Sequence, residues 1–195
     1  MPQISMLEFE HLPLRVHDLL AGVPIHDVWA TDLPYTRPGI TLDEFLRAAG
    51  PGLLPFKDPP ATRALVSLRL FLGRLFAWDR EPPANTCKSF AERLTASDRS
   101  KSLVGPGTRA GVVLRLVYRF ENEQLLELIN RTAHAAVITA LVETANAYRF
   151  YLAVYVKSVS RFTPVYMALI DPFRKLIIYP SWLRSVRKTW IRIFG

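Results

Sequence analysis

The stretch from Val112 to Val156, VVLRLVYRFENEQLLELINRTAHAAVITALVETANAYRFYLAVYV, limits what this chain can become. Leu114, Leu116, Tyr118 and Phe120 fall on one side of an extended segment, with Arg115 and Arg119 on the other. Side chains alternate faces along a strand, so this segment reads as a half-buried strand. Asn122 and its flanking glutamates supply a tight turn, because Asn tolerates left-handed backbone angles. In the next strand Leu126, Leu128 and Asn130 share one face, and Glu127 and Arg131 the other. His134 to Val142 is apolar almost throughout, and pattern alone does not choose its inward face. Thr144 and Asn146 mark another turn. The last strand places Tyr148, Phe150, Leu152, Val154 and Val156 on one face, and Arg149, Tyr151, Ala153, Tyr155 and Lys157 on the other. Short turns between successive strands require antiparallel pairing. Such a meander has a greasy face that another layer must cover.

The candidate covering layer follows it. Thr163-Pro164 reads as an N-cap followed by proline in the first helical turn, and Asp171-Pro172 repeats that signature. From there Phe173, Leu176, Ile177, Leu183, Val186, Trp190 and Ile191 keep helical phase across Pro180. The spacing predicts one long C-terminal helix, kinked near Pro180.

Upstream, residues 1–25 read as an entry segment with little signal. His26 to Leu33 reads as an edge strand with Val28 and Ala30 inward. Thr41-Leu42-Asp43-Glu44 matches a capping box, and Leu42, Phe45, Leu46 and Ala49 continue it as a short helix ended by Gly50-Pro51. Ala61, Ala64, Leu65, Leu68, Phe71, Leu72 and Leu75 form the stripe of a further amphipathic helix. Ser89 to Leu94 suggests a helical turn. Ser97 to Gly111 is polar and turn-rich, in the manner of a rim over a cavity.

Composition bounds the rest. A 195-residue chain that is half hydrophobic and 22% charged suits one globular domain with a sizeable core. Its apolar runs fall short of the ~20 residues that span a bilayer. The single cysteine, Cys87, excludes an intramolecular disulfide, and no signal peptide is legible. A cytoplasmic location is therefore expected. The net charge of +8 is concentrated at the C-terminus.

FENEQLLELINRTAHA (Phe120 to Ala135), YLAVYVKSVSRFTPVYMALIDPF (Tyr151 to Phe173) and IIYP (Ile177 to Pro180) resemble a bacterial domain family of unknown function. That family is grouped with the START-like, or SRPBCC, superfamily. The resemblance runs from about His26 to the end. It implies an α+β helix-grip fold, in which a curved antiparallel sheet wraps a long C-terminal helix and encloses an apolar cavity. Here the segment between the first strand and the meander is longer than usual and adds a helix. Members include carriers of lipids and hormones, polyketide cyclases and aromatases, so the resemblance implies a ligand and not a chemistry.

On this plan Leu116, Tyr118, Leu128 and Asn130 from the sheet, with Tyr166, Met167 and Ile170 from the C-terminal helix, are the expected ligand-contacting residues. His134 joins them as the one candidate catalytic residue. An imidazole of ordinary pKa ~6.5 can move protons near neutrality. Spacing identifies no partner carboxylate for it, and a structural histidine explains it as well. Asp171 can pair with an arginine at the cavity mouth, although capping a helix at Pro172 is the simpler role. No metal or cofactor is expected. His11, His17, His26 and His134 have no ligand spacing, and no phosphate loop or dinucleotide fingerprint occurs. Arg184, Lys188 and Arg192 on the basic tail suit an anionic membrane surface, or simply a solvated helix face. Nucleic acid is not favoured, since no recognition module is legible. Three functions remain open: binding of a small apolar or amphipathic ligand, a cyclase- or aromatase-like enzyme, and a peripheral membrane or protein-interaction module.

Overall fold

The computed structural model describes residues 4–50, 67, 88–110, 114–130, 133–159 and 163–195. The expected amphipathic helix at Ala61 to Leu75 lies outside them, apart from Ser67, as does Cys87. The fold is α+β, with two short N-terminal helices, α1 (Met6–Glu10) and α2 (Arg15–Leu19), preceding β1 (Ile25–Pro34) and α3 (Leu42–Ala49). A 3-10 turn (Phe90–Arg93) and α4 (Ala96–Lys101) lead into β2 (Arg109–Ala110), β3 (Leu114–Arg119), β4 (Glu123–Ile129), β5 (His134–Glu143) and β6 (Ala147–Lys157). The C-terminal helix comprises α5 (Thr163–Phe173), a π-helical turn (Arg174–Ile178) and α6 (Tyr179–Phe194).

The six strands form one antiparallel sheet in the order β1-β6-β5-β4-β3-β2. The meander pairs as its turns dictate, and β1 closes onto β6 at the edge. Bulges at Ile25/Asp27 and Leu116/Tyr118 break the register. Bulges increase local twist and help the sheet curve around the C-terminal helix, completing a helix-grip.

Both faces of the sheet are buried. The grip face, toward the C-terminal helix, gathers Trp29, Leu33, Leu141, Tyr148, Phe150, Leu152 and Val154 against Met167, Tyr179, Leu183, Val186 and Trp190. The outer face carries Val28, Ala30, Leu125, Ala136, Ile138, Tyr151 and Tyr155, and α1, α2 and the 3-10 turn cover it through Phe9, Val16, Leu19 and Phe90. The entry segment is thus a second covering layer. Its two helices are five residues each, too short for a periodic signal. Val28 and Ala30 are buried as expected, but against that layer rather than in the grip.

Four further expectations change. Leu116 pairs with Leu126, but after the bulge Tyr118 pairs with Leu125. The extra residue turns both Val117 and Tyr118 to the outer face and brings Arg119 round to the grip face. Strict alternation cannot anticipate this inversion. Thr95 and Asp98 make a reciprocal capping box that starts α4 inside the supposed polar rim. Asp171 does not cap a helix at Pro172, because α5 runs through both residues.

The fourth change is in helix phase. Proline lacks an N–H and its ring crowds the carbonyl four residues back, so Pro172 and Pro180 both disturb the helical ladder. The wide turn lies between them and rotates the buried stripe. Leu183, Val186 and Trp190 are fully buried and Tyr179 nearly so, whereas Phe173 and Leu176 are 47% and 77% exposed. At the far end of the helix, Trp190 Nε1 donates to the Pro34 carbonyl at 3.0 Å and its ring meets Phe45 edge-on at 5.2 Å. Thr41 accepts from the Glu44 amide to start α3, which thereby sits against α6.

Candidate functional site

The register aligns one cross-strand row on the grip face. Trp29 of β1 pairs with Leu152 of β6, and Leu152 with Thr139 of β5. Thr139 pairs with Gln124 of β4, and Gln124 with Arg119 of β3. With strands ~4.8 Å apart, the row spans roughly 19 Å. All five residues are buried. Arg119 Nε donates to Gln124 Oε1 at 3.1 Å, and Arg119 Nη1 lies 3.7 Å from the Asp43 carboxylate of α3. Burial pulls the Arg119 guanidinium below its ordinary pKa, and Asp43 opposes that pull. Among the described residues, three buried polar atoms along this row have no hydrogen-bond partner: Trp29 Nε1, Thr139 Oγ1 and Arg119 Nη2. Buried polar groups are nearly always paired, so a run of three requires an explanation.

The residues expected to contact a ligand are only partly brought together. Leu116 is buried on the grip face beside Leu126. Leu128 is half-buried and pairs with Ala135, next to half-buried Val137. Met167 and half-buried Ile170 of α5 pack onto the main core of the grip face, a cluster separate from that of Leu116 and Leu126, and Tyr166 precedes Met167 in α5. Asn130 instead closes the β4–β5 turn, its Oδ1 accepting from the Ala133 amide at 2.9 Å. Tyr118, on the outer face, donates to Glu123 Oε2 at 3.1 Å, and Glu123 Oε1 also accepts from the Arg15 amide at 2.7 Å. Burial and Glu123 hold the Tyr118 phenol well above its usual pKa.

His134 also faces outward. The partner carboxylate that spacing did not reveal is Glu127, 2.7 Å from His134 Nε2. The imidazole is fully buried and stacks on Phe90 at 3.9 Å between centroids. Glu127 additionally accepts from Ser89 Oγ at 2.6 Å and the Phe90 amide at 2.8 Å. Burial raises the Glu127 pKa, but the hydrogen bonds from His134, Ser89 and Phe90 outweigh it and the net shift is downward. This arrangement fastens the 3-10 turn to the sheet. Glu127 stands on β4 one strand from Ala136, so its link to His134 is diagonal and has no simple sequence spacing.

A third cluster joins the sheet to the helix. Asp171 accepts from His26 Nε2 at 2.9 Å, from Arg174 at 2.8 Å and from Lys175 at 3.2 Å. Arg174 reaches Asp27 at 3.2 Å and donates to the Tyr179 hydroxyl. Burial raises the Asp27 pKa while Arg174 opposes it. For Asp171, burial raises the pKa but the bonds from His26 and Lys175 prevail and lower it. Ligand atoms of His26, Asp27 and Asp171 lie within 4.8 Å of one another, a grouping a metal ion could use. Arg174 and Lys175 already neutralise those two carboxylates, so the geometry is that of an ion-pair clamp.

Trp29, Thr139, Gln124 and Arg119 were not legible as site residues. The available signal was a lone threonine within the apolar run HAAVITALV, and strand pairing was needed to align it with the others.

No helix among the described residues is long and apolar enough to cross a membrane. No curated protein and no solved structure matches the chain. The family described as "Protein of unknown function (DUF2867)" matches residues 19–181. That match covers more than half of the 195 residues, and the chain therefore belongs to the DUF2867 family.

Proposed function

We propose that the protein binds a small apolar or amphipathic molecule between the grip face and the C-terminal helix, as a member of the START-like superfamily from a bacterium. The reading rests on one observation: Trp29 Nε1 and Thr139 Oγ1 flank Leu152 in a hydrocarbon setting, with no hydrogen-bond partner among the described residues. Ligand sites are mostly apolar, with a few polar groups that fix orientation. The indole N–H only donates, so the ligand carries an acceptor oxygen there. The threonine hydroxyl takes either role, and Arg119 Nη2 adds a second donor toward an oxygen at the other end of the row. A long apolar molecule with oxygen functions fits this spacing. An acid–base role for His134 on such a ligand would need its ring to face the grip, and it faces away.

Native mass spectrometry of the freshly purified protein tests the reading, together with displacement of a fluorescent C18 polyene fatty acid. A stoichiometric apolar adduct, lost in a Trp29→Phe/Thr139→Val variant that melts no lower than the parent, is expected. Equal occupancy in parent and variant would overturn it.

A further inference from the structure

The π-helical turn has a consequence on the side of the C-terminal helix that faces away from the sheet. Leu169, Pro172, Phe173 and Leu176 are all exposed and recur at the spacing of one helix side. Leu169 and Leu176 are 61% and 77% exposed, values unusual for leucines one or two turns apart. Farther along, Arg184, Arg187, Lys188 and Arg192 are exposed, with Ile191 among them at 42% exposure. No Asp or Glu occurs between Pro172 and Gly195. Among the described residues these four cations have no ion-pair partner, and Arg184 donates only to the Pro180 carbonyl. The outward face therefore has an apolar half followed by a cationic half.

We infer that this outward face docks the protein onto an anionic lipid bilayer. The partner follows from the pairing of the two halves. A nucleic acid would satisfy the guanidinium groups but offer nothing to Leu169, Phe173 and Leu176. A second copy of this chain would bring two such cationic faces together on molecules that each carry a net charge of +8. A bilayer with acidic headgroups meets both: exposed hydrocarbon enters the acyl boundary, and the basic side chains stay among the phosphates. The helix lies in the interface plane, with its buried stripe still held by the sheet. Docking is independent of whether the grip face holds a ligand.

Co-sedimentation of the full chain with phosphatidylcholine vesicles, with and without ~30% phosphatidylserine, tests this. The parent should bind the anionic vesicles only, and 0.5 M salt should weaken binding through screening. Reversing Arg184, Lys188 and Arg192 to glutamate should lower affinity by roughly 100-fold or more. Phe173→Ser/Leu176→Ser should lower it by roughly 10-fold with unchanged melting. Equal sedimentation of parent and charge-reversed protein overturns the proposal. So does tighter binding to a short DNA duplex than to anionic vesicles, or a stable dimer that the serine variant dissociates. A clear drop in melting temperature of the serine variant overturns it as well, because the stripe would then be packed against the protein itself.

Discussion

Arg174, on the π-helical turn, sets a guanidinium nitrogen 3.2 Å from the carboxylate of Asp27 on β1, 147 positions away in sequence. Asp27 is fully buried and the Arg174 side chain is 11% exposed, and Tyr179 and Asp171 share the same guanidinium. The helix is therefore fastened to the edge strand where its phase is reset. Replacing one member of a buried ion pair leaves the other charged in a poor solvent. Arg174→Met should destabilise by about 3–5 kcal/mol. Arg174→Met combined with Asp27→Asn should recover much of that loss. Urea unfolding of both variants checks this; equal losses would mean the pair carries no coupling.

The unpartnered row predicts a trade between stability and binding. An orphaned buried polar atom costs ~1–3 kcal/mol, so Thr139→Val should raise the melting temperature of ligand-free protein. The same change should weaken binding of an oxygen-bearing apolar ligand roughly 3- to 10-fold. Paired melting and displacement measurements decide it. A threonine that only fills space would change stability without affecting affinity.

Glu127 makes acid stability asymmetric. Its pKa in the folded protein lies below the ordinary carboxylate value because His134, Ser89 and the Phe90 amide overcome burial. A lowered folded pKa means the contribution is complete above the unfolded value, ~4.3, and is lost as pH falls through the folded value. Asp98, held down by Arg15 and Thr95, acts in the same direction. Glu127→Gln should therefore lower stability at pH 7 and flatten its decline between about pH 5 and pH 3. Melting curves across that range provide the measurement.

Helix phase can be read by substitution. Leu183 is fully buried, so Leu183→Ala should cost about 2–5 kcal/mol. Leu176 is exposed, so Leu176→Ala should stay within about 0.5 kcal/mol. Ending the chain before Asp171 removes Tyr179, Leu183, Val186 and Trp190 together and should unfold it. Similar effects of the two alanine changes would mean the buried stripe runs straight through the turn.

The sequence by itself determined the meander, its antiparallel order, the capped α3 and a C-terminal helix that covers the sheet. These follow from alternation, turn residues and capping, all local and periodic. It also separated Tyr151 and Tyr155 from Tyr148, Phe150 and Leu152 on opposite faces of the last strand. Tertiary structure decided the remainder. One inserted residue near Val117 inverted the faces of Tyr118 and Arg119, because a period of two has no memory across a bulge. Two prolines eight positions apart bracketed a wide turn that exposed Phe173 and Leu176 and buried Tyr179. The cross-strand row from Trp29 to Arg119 exists only through register. It draws one residue from each of five strands, and no spacing along the chain encodes that alignment.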